Sequence, residues 1–233
     1  MRTLVFGDEP NLAIVELQAR LRNAGFYPST GLIDGVFQVE TNDAVKKFQT
    51  AVGLKVDGIV GAKTWAAIEK YTLDKILFLF LHCSASPAGL DLTGKWIYDY
   101  HTKNKGWSRP GYSDVIRLNG QLDNIYPWND NYEIEVWEYT FGTLKLSRCS
   151  RHVCYIGGVD ANNTKKAVDT RTAAQKVTMD AYVDFHIAKY PNIVIVGHNQ
   201  VQNKACPSFD VVKYYSERGV PKKNLAMWGS LWE

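Results

Sequence analysis

The sequence predicts two structural classes in series. Residues 1–72 read as a small all-α unit of three helices, and residues 73–233 as an α/β unit with a mixed β-sheet flanked by helices. Three observations predict this. Apolar residues recur at helical spacing through the first seventy positions. Beyond residue 75 they gather instead into short β-branched and aromatic runs. Helical stretches separate those runs, which is the pattern of an α/β layer.

In the first unit, Leu12, Val15, Ala19 and Leu21 fall on or near one helical face, and Asn23-Ala24-Gly25 closes that helix with a left-handed glycine cap. Residues 40–51 form a second helix, with Ala44, Val45 and Phe48 at three-to-four spacing and Gly53 following. Residues 62–71 form a third. An internal echo accompanies them: Ile33-Asp34-Gly35-Val36 precedes the second helix and Val56-Asp57-Gly58-Ile59 the third, and Thr41 and Thr64 follow near the helix starts. An Asp-Gly pair marks a turn, because glycine accepts positive φ and aspartate bonds to nearby backbone.

The strands of the second unit are expected at residues 75–81, 153–156 and 192–196. A helix is expected over residues 173–190, with Val177, Ala181 and Phe185 on one face. The boundary falls in a very short linker at residues 71–75. A chain beginning near Thr72 is expected to keep its fold.

Composition bounds the function without naming it. Hydrophobic residues make up 45% and charged residues 22% of the 233 positions, as in ordinary globular proteins. A net charge of +3 is too mild to argue for nucleic acid, and the run at residues 76–81 is far too short to span a bilayer. Residues 1–10 include Asp8 and Glu9 and lack the apolar core of a secretory signal, so synthesis and folding in a cytoplasm are expected. In that compartment Cys83, Cys149 and Cys154 read as buried free thiols rather than a disulfide framework.

Cys206 stands apart. His82 directly follows the first apolar run, His198 follows the last behind Gly197, and Cys206 lies eight positions further on. Ligands collect at the carboxyl ends of strands in open α/β sheets, so two strand-end histidines share a pocket if their strands are neighbours. Two imidazoles and a thiolate suit zinc, and three protein ligands leave a fourth position for water. From spacing alone each histidine also fits a hydrogen-bonded structural role. A structural zinc site would need a fourth protein ligand, and none is well placed.

Family resemblance sharpens both units. The string IDGVFQVETNDAVKKFQTAVGLKVDGIVGAKTW closely resembles the peptidoglycan-binding domain found at one end of many wall hydrolases, over about residues 4–70. It departs at Gln38, where that family usually has glycine.

Phe80-Leu81-His82-Cys83-Ser84-Ala85, Gly111-Tyr112, Ile156-Gly157-Gly158 and Gly197-His198, then Lys204-Ala205-Cys206-Pro207-Ser208-Phe209-Asp210, occur in the order seen in type-2 N-acetylmuramoyl-L-alanine amidases. The likeness is to the phage lysozymes that are amidases and covers about residues 76–215. It implies the amidase/peptidoglycan-recognition fold and zinc held by His82, His198 and Cys206. It also implies Tyr112 and Lys204 as catalytic residues, and hydrolysis of the amide between N-acetylmuramic acid and L-alanine.

Together the two resemblances imply a phage endolysin with peptidoglycan as partner, no nucleic acid and no membrane span, monomeric and acting on the cell wall. A host wall-recycling amidase and a non-catalytic peptidoglycan-recognition protein are the alternatives, and Cys206 favours the enzyme over the latter. The region TFGTLKLSRCSRHVCYIGG departs from the family, which usually carries a His- and Asn-containing stretch before the Ile-Gly-Gly strand. His101, His152 and His186 are read as structural or surface residues. No aligned glutamate supplies a general base, and Glu133, Glu135 and Glu138 are not assigned that role. Cys83, next to His82 on a strand, is expected to face the core rather than the metal.

Overall fold

A computed structural model describes residues 2–72, 75–143, 146–229 and 231. The expected linker at residues 71–75 includes residues 73 and 74, which lie outside the described residues. Three helices open the chain: α1 (Leu12–Asn23), α2 (Val39–Ala51) and α3 (Ala62–Tyr71). The Asn11 side chain starts α1 by accepting from the amides of Ala13 and Ile14 at 3.0 and 3.2 Å, which satisfies two donors that a helix start leaves orphaned. Gly25 follows the helix at φ 82°, the left-handed position expected of it.

The paired Asp-Gly turns are two copies of one hydrogen-bond network. Gln18 on α1 donates to Asp34 Oδ1, the Val36 carbonyl and Thr41 Oγ1, and accepts from the Gly35 amide. Gln49 on α2 does the same for Asp57 Oδ1, the Ile59 carbonyl, Thr64 Oγ1 and the Gly58 amide. Each turn is thereby pinned to the preceding helix, with Gly35 and Gly58 at φ 76° and 73°. Both glutamines are buried, a position that an amide tolerates only when its bonds are made.

The second unit holds strands β1 (Phe78–Cys83), β2 (Ser86–Pro87), β3 (Asp114–Ile116), β4 (Leu122–Asn124), β5 (Ser150–Tyr155), β6 (Gly158–Val159) and β7 (Val194–Gly197). Its helices are α4 (Gly94–Asp99), which continues as a wider turn through Asn104, α5 (Ala173–Lys189) and α6 (Val211–Glu217). Five strands form one sheet in the order β4-β3-β5-β1-β7; β3 and β4 pair antiparallel and the other pairs are parallel, so the sheet is mixed. β2 and β6 pair separately. The central strands β1, β5 and β7 are buried at every position; β1 and β7 accordingly read as largely apolar runs, whereas β5 opens with the buried polar residues Ser150, Arg151 and His152. No described helix is long and apolar enough to cross a membrane.

Strand alternation assigns the two faces of the sheet. Leu79, Leu81 and Cys83 of β1, with Ile195 of β7 and Val153 and Tyr155 of β5, pack with α5 and α6 residues such as Met179, Val183, Val211 and Tyr215. Phe78 and Phe80, with Val194 and Val196, belong to a second apolar cluster that also holds Ile14, Leu17, Leu21, Phe37, Phe48 and Trp65 of the N-terminal helices. The three-helix unit is therefore a layer of the same core. Arg22 of α1 reinforces the seam by donating to the carbonyls of Lys223 and Asn192. This shared core weighs against the expectation that a chain beginning near Thr72 keeps its fold, because without residues 1–72 the sheet loses this cover on one face.

A second difference concerns α5. Val177 and Phe185 do share a face, but it is the solvent face, at 69% and 44% exposure. The buried face carries Met179, Tyr182, Val183 and His186 instead. Polar anchors decide this orientation. Tyr182 donates to Asp114 Oδ2 at 2.7 Å, and Gln175 donates to the carbonyls of Ile116 and Ile156 while its Oε1 accepts from Thr172 N.

Candidate metal centre

The residues that carry the site continue the strand alternation. On β1 the positions 78, 80 and 82 face one way, and beyond Val194 and Val196 the next position in step is His198. β1 and β7 are adjacent parallel strands, with Phe80 opposite Val196 and Leu81 opposite Gly197. His82 and His198 are consequently brought together at the carboxyl ends of neighbouring strands. Gln200 fixes the turn after β7: its Oε1 accepts from Gly197 N, and its Nε2 donates to the Ala226 and Trp228 carbonyls.

The loop from His198 returns Cys206 to the same place. The Asn199 amide donates to the Cys206 carbonyl at 2.6 Å, and the Tyr155 hydroxyl of β5 donates to the Pro207 carbonyl at 2.8 Å. The donor atoms of His82, His198 and Cys206 all lie within 4.8 Å of one another. His82 Nδ1 is 3.1 Å from His198 Nδ1 and 3.6 Å from Cys206 Sγ. A tetrahedral ion with bonds of about 2.0–2.3 Å to nitrogen and sulfur separates its ligands by roughly 3.3–3.6 Å, so the donor set fits a zinc-sized cation. The Nε2 atoms point outward to second partners: that of His82 lies 3.0 Å from His152 Nδ1, and that of His198 meets Gln202 Oε1 at 2.5 Å.

Burial sets the electrostatics. It holds His82 well below the ordinary imidazole range, aided by His198 and His152, and pulls His198 down to about 4. Neutral imidazoles are the ligating form. Burial and the neighbouring Cys83 push the Cys206 thiol well above its usual value. A bound divalent cation reverses that, since it drives the proton from a coordinating thiol. Cys83 belongs to the α5–α6 cluster, but it does not face the core alone: its side chain hydrogen-bonds that of Cys206, its Sγ lies 3.5 Å from Ser208 Oγ, it lines the same cleft, and its amide donates to Cys206 Sγ at 3.2 Å.

Tyr112 and Lys204 come to the same place. The Tyr112 ring centroid is 4.9 Å from that of His82, and burial keeps its phenol well above the usual value. Lys204 is exposed and lines the open cleft of about 630 Å³ together with Tyr112, His198 and Cys206. The far wall of the cleft carries Trp96 and Tyr100, stacked at 5.1 Å and 8°, and Trp107. Among the described residues lining the cleft none is a carboxylate.

Glu138 is committed elsewhere: it pairs with Arg151 at 3.4 Å and accepts from the amides of Asn129 and Glu135. Glu133 bonds Lys75 on the surface.

The other histidines separate. His186 is structural: its Nδ1 lies 2.8 Å from the Tyr182 carbonyl. His101 accepts from Gly111 N and stacks on Trp107, positioning the loop that carries Tyr112. His152 is the residue that sequence reasoning misses. It is fully buried beside His82, and the signal that could have found it is its alternation with Cys154 on a strand that begins at Ser150 rather than Val153.

The fold and site together define a two-layered α/β protein with an open His-His-Cys centre at its strand ends and a helical unit behind it. Residues 11–68 match the family described as "Putative peptidoglycan binding domain". The chain is 31% identical over 135 residues to an endolysin of Enterobacteria phage K11, covering 58% of this chain and 82% of the relative. It is 29% identical over 139 residues to an endolysin of Escherichia phage T7, covering 60% and 85%. A shorter match, 49% identical over 59 residues, joins it to a spore cortex-lytic enzyme of Bacillus cereus, covering 25% of this chain and 22% of that one. The chain belongs to the phage endolysin family.

Proposed function

We propose that the chain hydrolyses bacterial peptidoglycan at the amide between N-acetylmuramic acid and L-alanine, with zinc held by His82, His198 and Cys206. The observation that carries this reading is the donor set itself: two neutral imidazoles and a thiol, with His82 Nδ1 3.1 Å from His198 Nδ1 and 3.6 Å from Cys206 Sγ, opening on a cleft with no fourth His, Cys, Asp or Glu grouped with them among the described residues. Zinc bound there supplies an activated water at neutral pH, with a pKa of about 7, and polarises the scissile carbonyl.

The chain's own residues do the rest. Lys204, at the cleft rim, places an ammonium against the oxyanion as it develops. Tyr112 retains its proton, so it donates a hydrogen bond and can pass that proton to the departing amine. With no carboxylate among the described cleft residues, proton handling falls to Tyr112 and Lys204.

Residues 11–68 hold the enzyme on the wall polymer, which the family match supports. The cysteine thiol 3.6 Å from His82 favours catalysis over the non-catalytic recognition alternative. Digestion of purified peptidoglycan, with mass spectrometry of the new ends, tests the reading. Free N-terminal L-alanine on the stem peptides is expected. New reducing sugar ends with intact lactyl–alanine bonds would overturn it.

A further inference from the structure

We propose that His152 is a positioning residue for the metal centre, fixing His82 through its outward-facing nitrogen; this rests on the metal reading above. His82 presents Nδ1 to His198 and Cys206, so its Nε2 carries the proton when the ligand is neutral. That Nε2 lies 3.0 Å from His152 Nδ1, and it donates there. The bond fixes both the tautomer and the ring orientation of the ligand, as outer partners of ligating histidines do.

The surroundings hold the His152 ring for this task. It stacks on Phe80 with centroids 5.3 Å apart and planes at 16°. Its carbonyl accepts from both the amide and the hydroxyl of Ser113, each at 3.0 Å, so the strand beneath it is clamped. Room for the ring comes from Gly142: a Cβ there would lie 2.2 Å from His152 Nδ1 and 2.5 Å from its Cγ. Any larger residue at 142 displaces the imidazole from His82. The departure of residues 140–152 from the amidase pattern is therefore linked to the centre: a glycine on one segment admits a histidine from the strand beside it. Phe80 also belongs to the cluster packed by the N-terminal helices, so that core backs the line Phe80–His152–His82.

Two variants of nearly equal shape isolate the hydrogen bond. His152→Asn keeps an acceptor close to the position of Nδ1, whereas His152→Leu removes it. Zinc affinity of the full chain is measured by competition with a chromophoric chelator, and cobalt-substituted protein reports ligand geometry through its visible spectrum. The Leu variant is expected to bind zinc about 10–100-fold more weakly than the parent with an altered cobalt spectrum, and the Asn variant to stay within a few-fold. Equal affinity of parent and Leu variant, or equal losses in Leu and Asn, overturns the proposal. If the Leu variant does not fold, His152→Gln replaces it, because its longer side chain carries its polar atoms past the Nδ1 position. Gln binding as tightly as Asn then overturns the proposal. A parent chain that binds no zinc overturns the metal reading itself, and His152 with it, so the two failures are distinct.

Discussion

Arg22 on the first helix donates to the main-chain carbonyl of Asn192 at 2.8 Å, across 170 positions of sequence. The same guanidinium bonds the Lys223 carbonyl at 2.7 Å, and burial lowers its pKa to about 10. One side chain thus ties the helical unit to both ends of the segment around β7. Arg22→Met keeps the apolar stem and removes the donors. A buried acceptor left unsatisfied costs about 1–3 kcal/mol, so urea unfolding is expected to show a loss of about 2 kcal/mol or more. A variant within about 0.5 kcal/mol of the parent, the usual range for surface changes, would mean that the seam holds without it. On the same reasoning, a chain lacking residues 1–72 exposes Phe78, Phe80, Val194 and Val196 and is expected to lose cooperative unfolding.

The catalytic assignments separate by metal content. Lys204 lines the cleft and is exposed, and an ammonium is a poor ligand at neutral pH. Lys204→Ala is expected to keep its zinc and lose roughly a hundred- to a thousandfold in rate, the usual cost of one oxyanion donor. Cys206→Ser is expected to hold zinc weakly and lose activity with it. Paired measurements of bound metal and released muramic acid-linked ends decide this. A Lys204→Ala enzyme within a few-fold of the parent rate would remove the residue from the mechanism.

The duplicated glutamine networks give a stability prediction with an internal control. Gln18→Ala and Gln49→Ala each leave an Asp-Gly turn and a glycine amide without their central partner. Each is expected to lower unfolding stability by about 1–3 kcal/mol, and by similar amounts, because four of the lost bonds match; Gln18 accepts one more, from the Asp34 amide. Markedly different losses in chemical denaturation would show that the resemblance between the two turns is geometric only.

His186 links stability to pH. Burial lowers its folded pKa to about 4 from the ordinary value near 6.5. A depressed histidine contributes fully above the unfolded pKa, and that contribution falls as the pH drops from about 6.5 toward 4, where the unfolded chain binds the proton first. A tenfold difference in proton affinity between the folded and unfolded chain corresponds to about 1.4 kcal/mol, so the loss across the window is on the order of 3 kcal/mol. In His186→Leu the decline between pH 6.5 and 4 is expected to be shallower. Parallel stability curves for parent and variant would assign the acid sensitivity to other groups.

The sequence alone determined the local and covalent part of this protein. Helical spacing located all three N-terminal helices, because each buries a stripe at i, i+3 and i+4. The apolar runs located β1, β7 and the second half of β5; the first half of β5, Ser150-Arg151-His152, is buried but polar and left no such run. Strand-end position and residue type offered His82, His198 and Cys206 as a possible zinc site, and the resemblance to the amidase family supplied Tyr112 and Lys204.

What needed tertiary structure were relations between distant segments. Whether β1 neighbours β7 is decided by sheet pairing, which leaves no local trace in either strand. The solvent-facing side of α5 was set by Tyr182 and Gln175 reaching Asp114, Ile116 and Ile156, partners that periodicity cannot register. His152 looked like any strand histidine until Phe80, Gly142 and His82 closed around it. The joint core was equally hidden, because an apolar face on a helix records that it must be covered but not by which part of the chain.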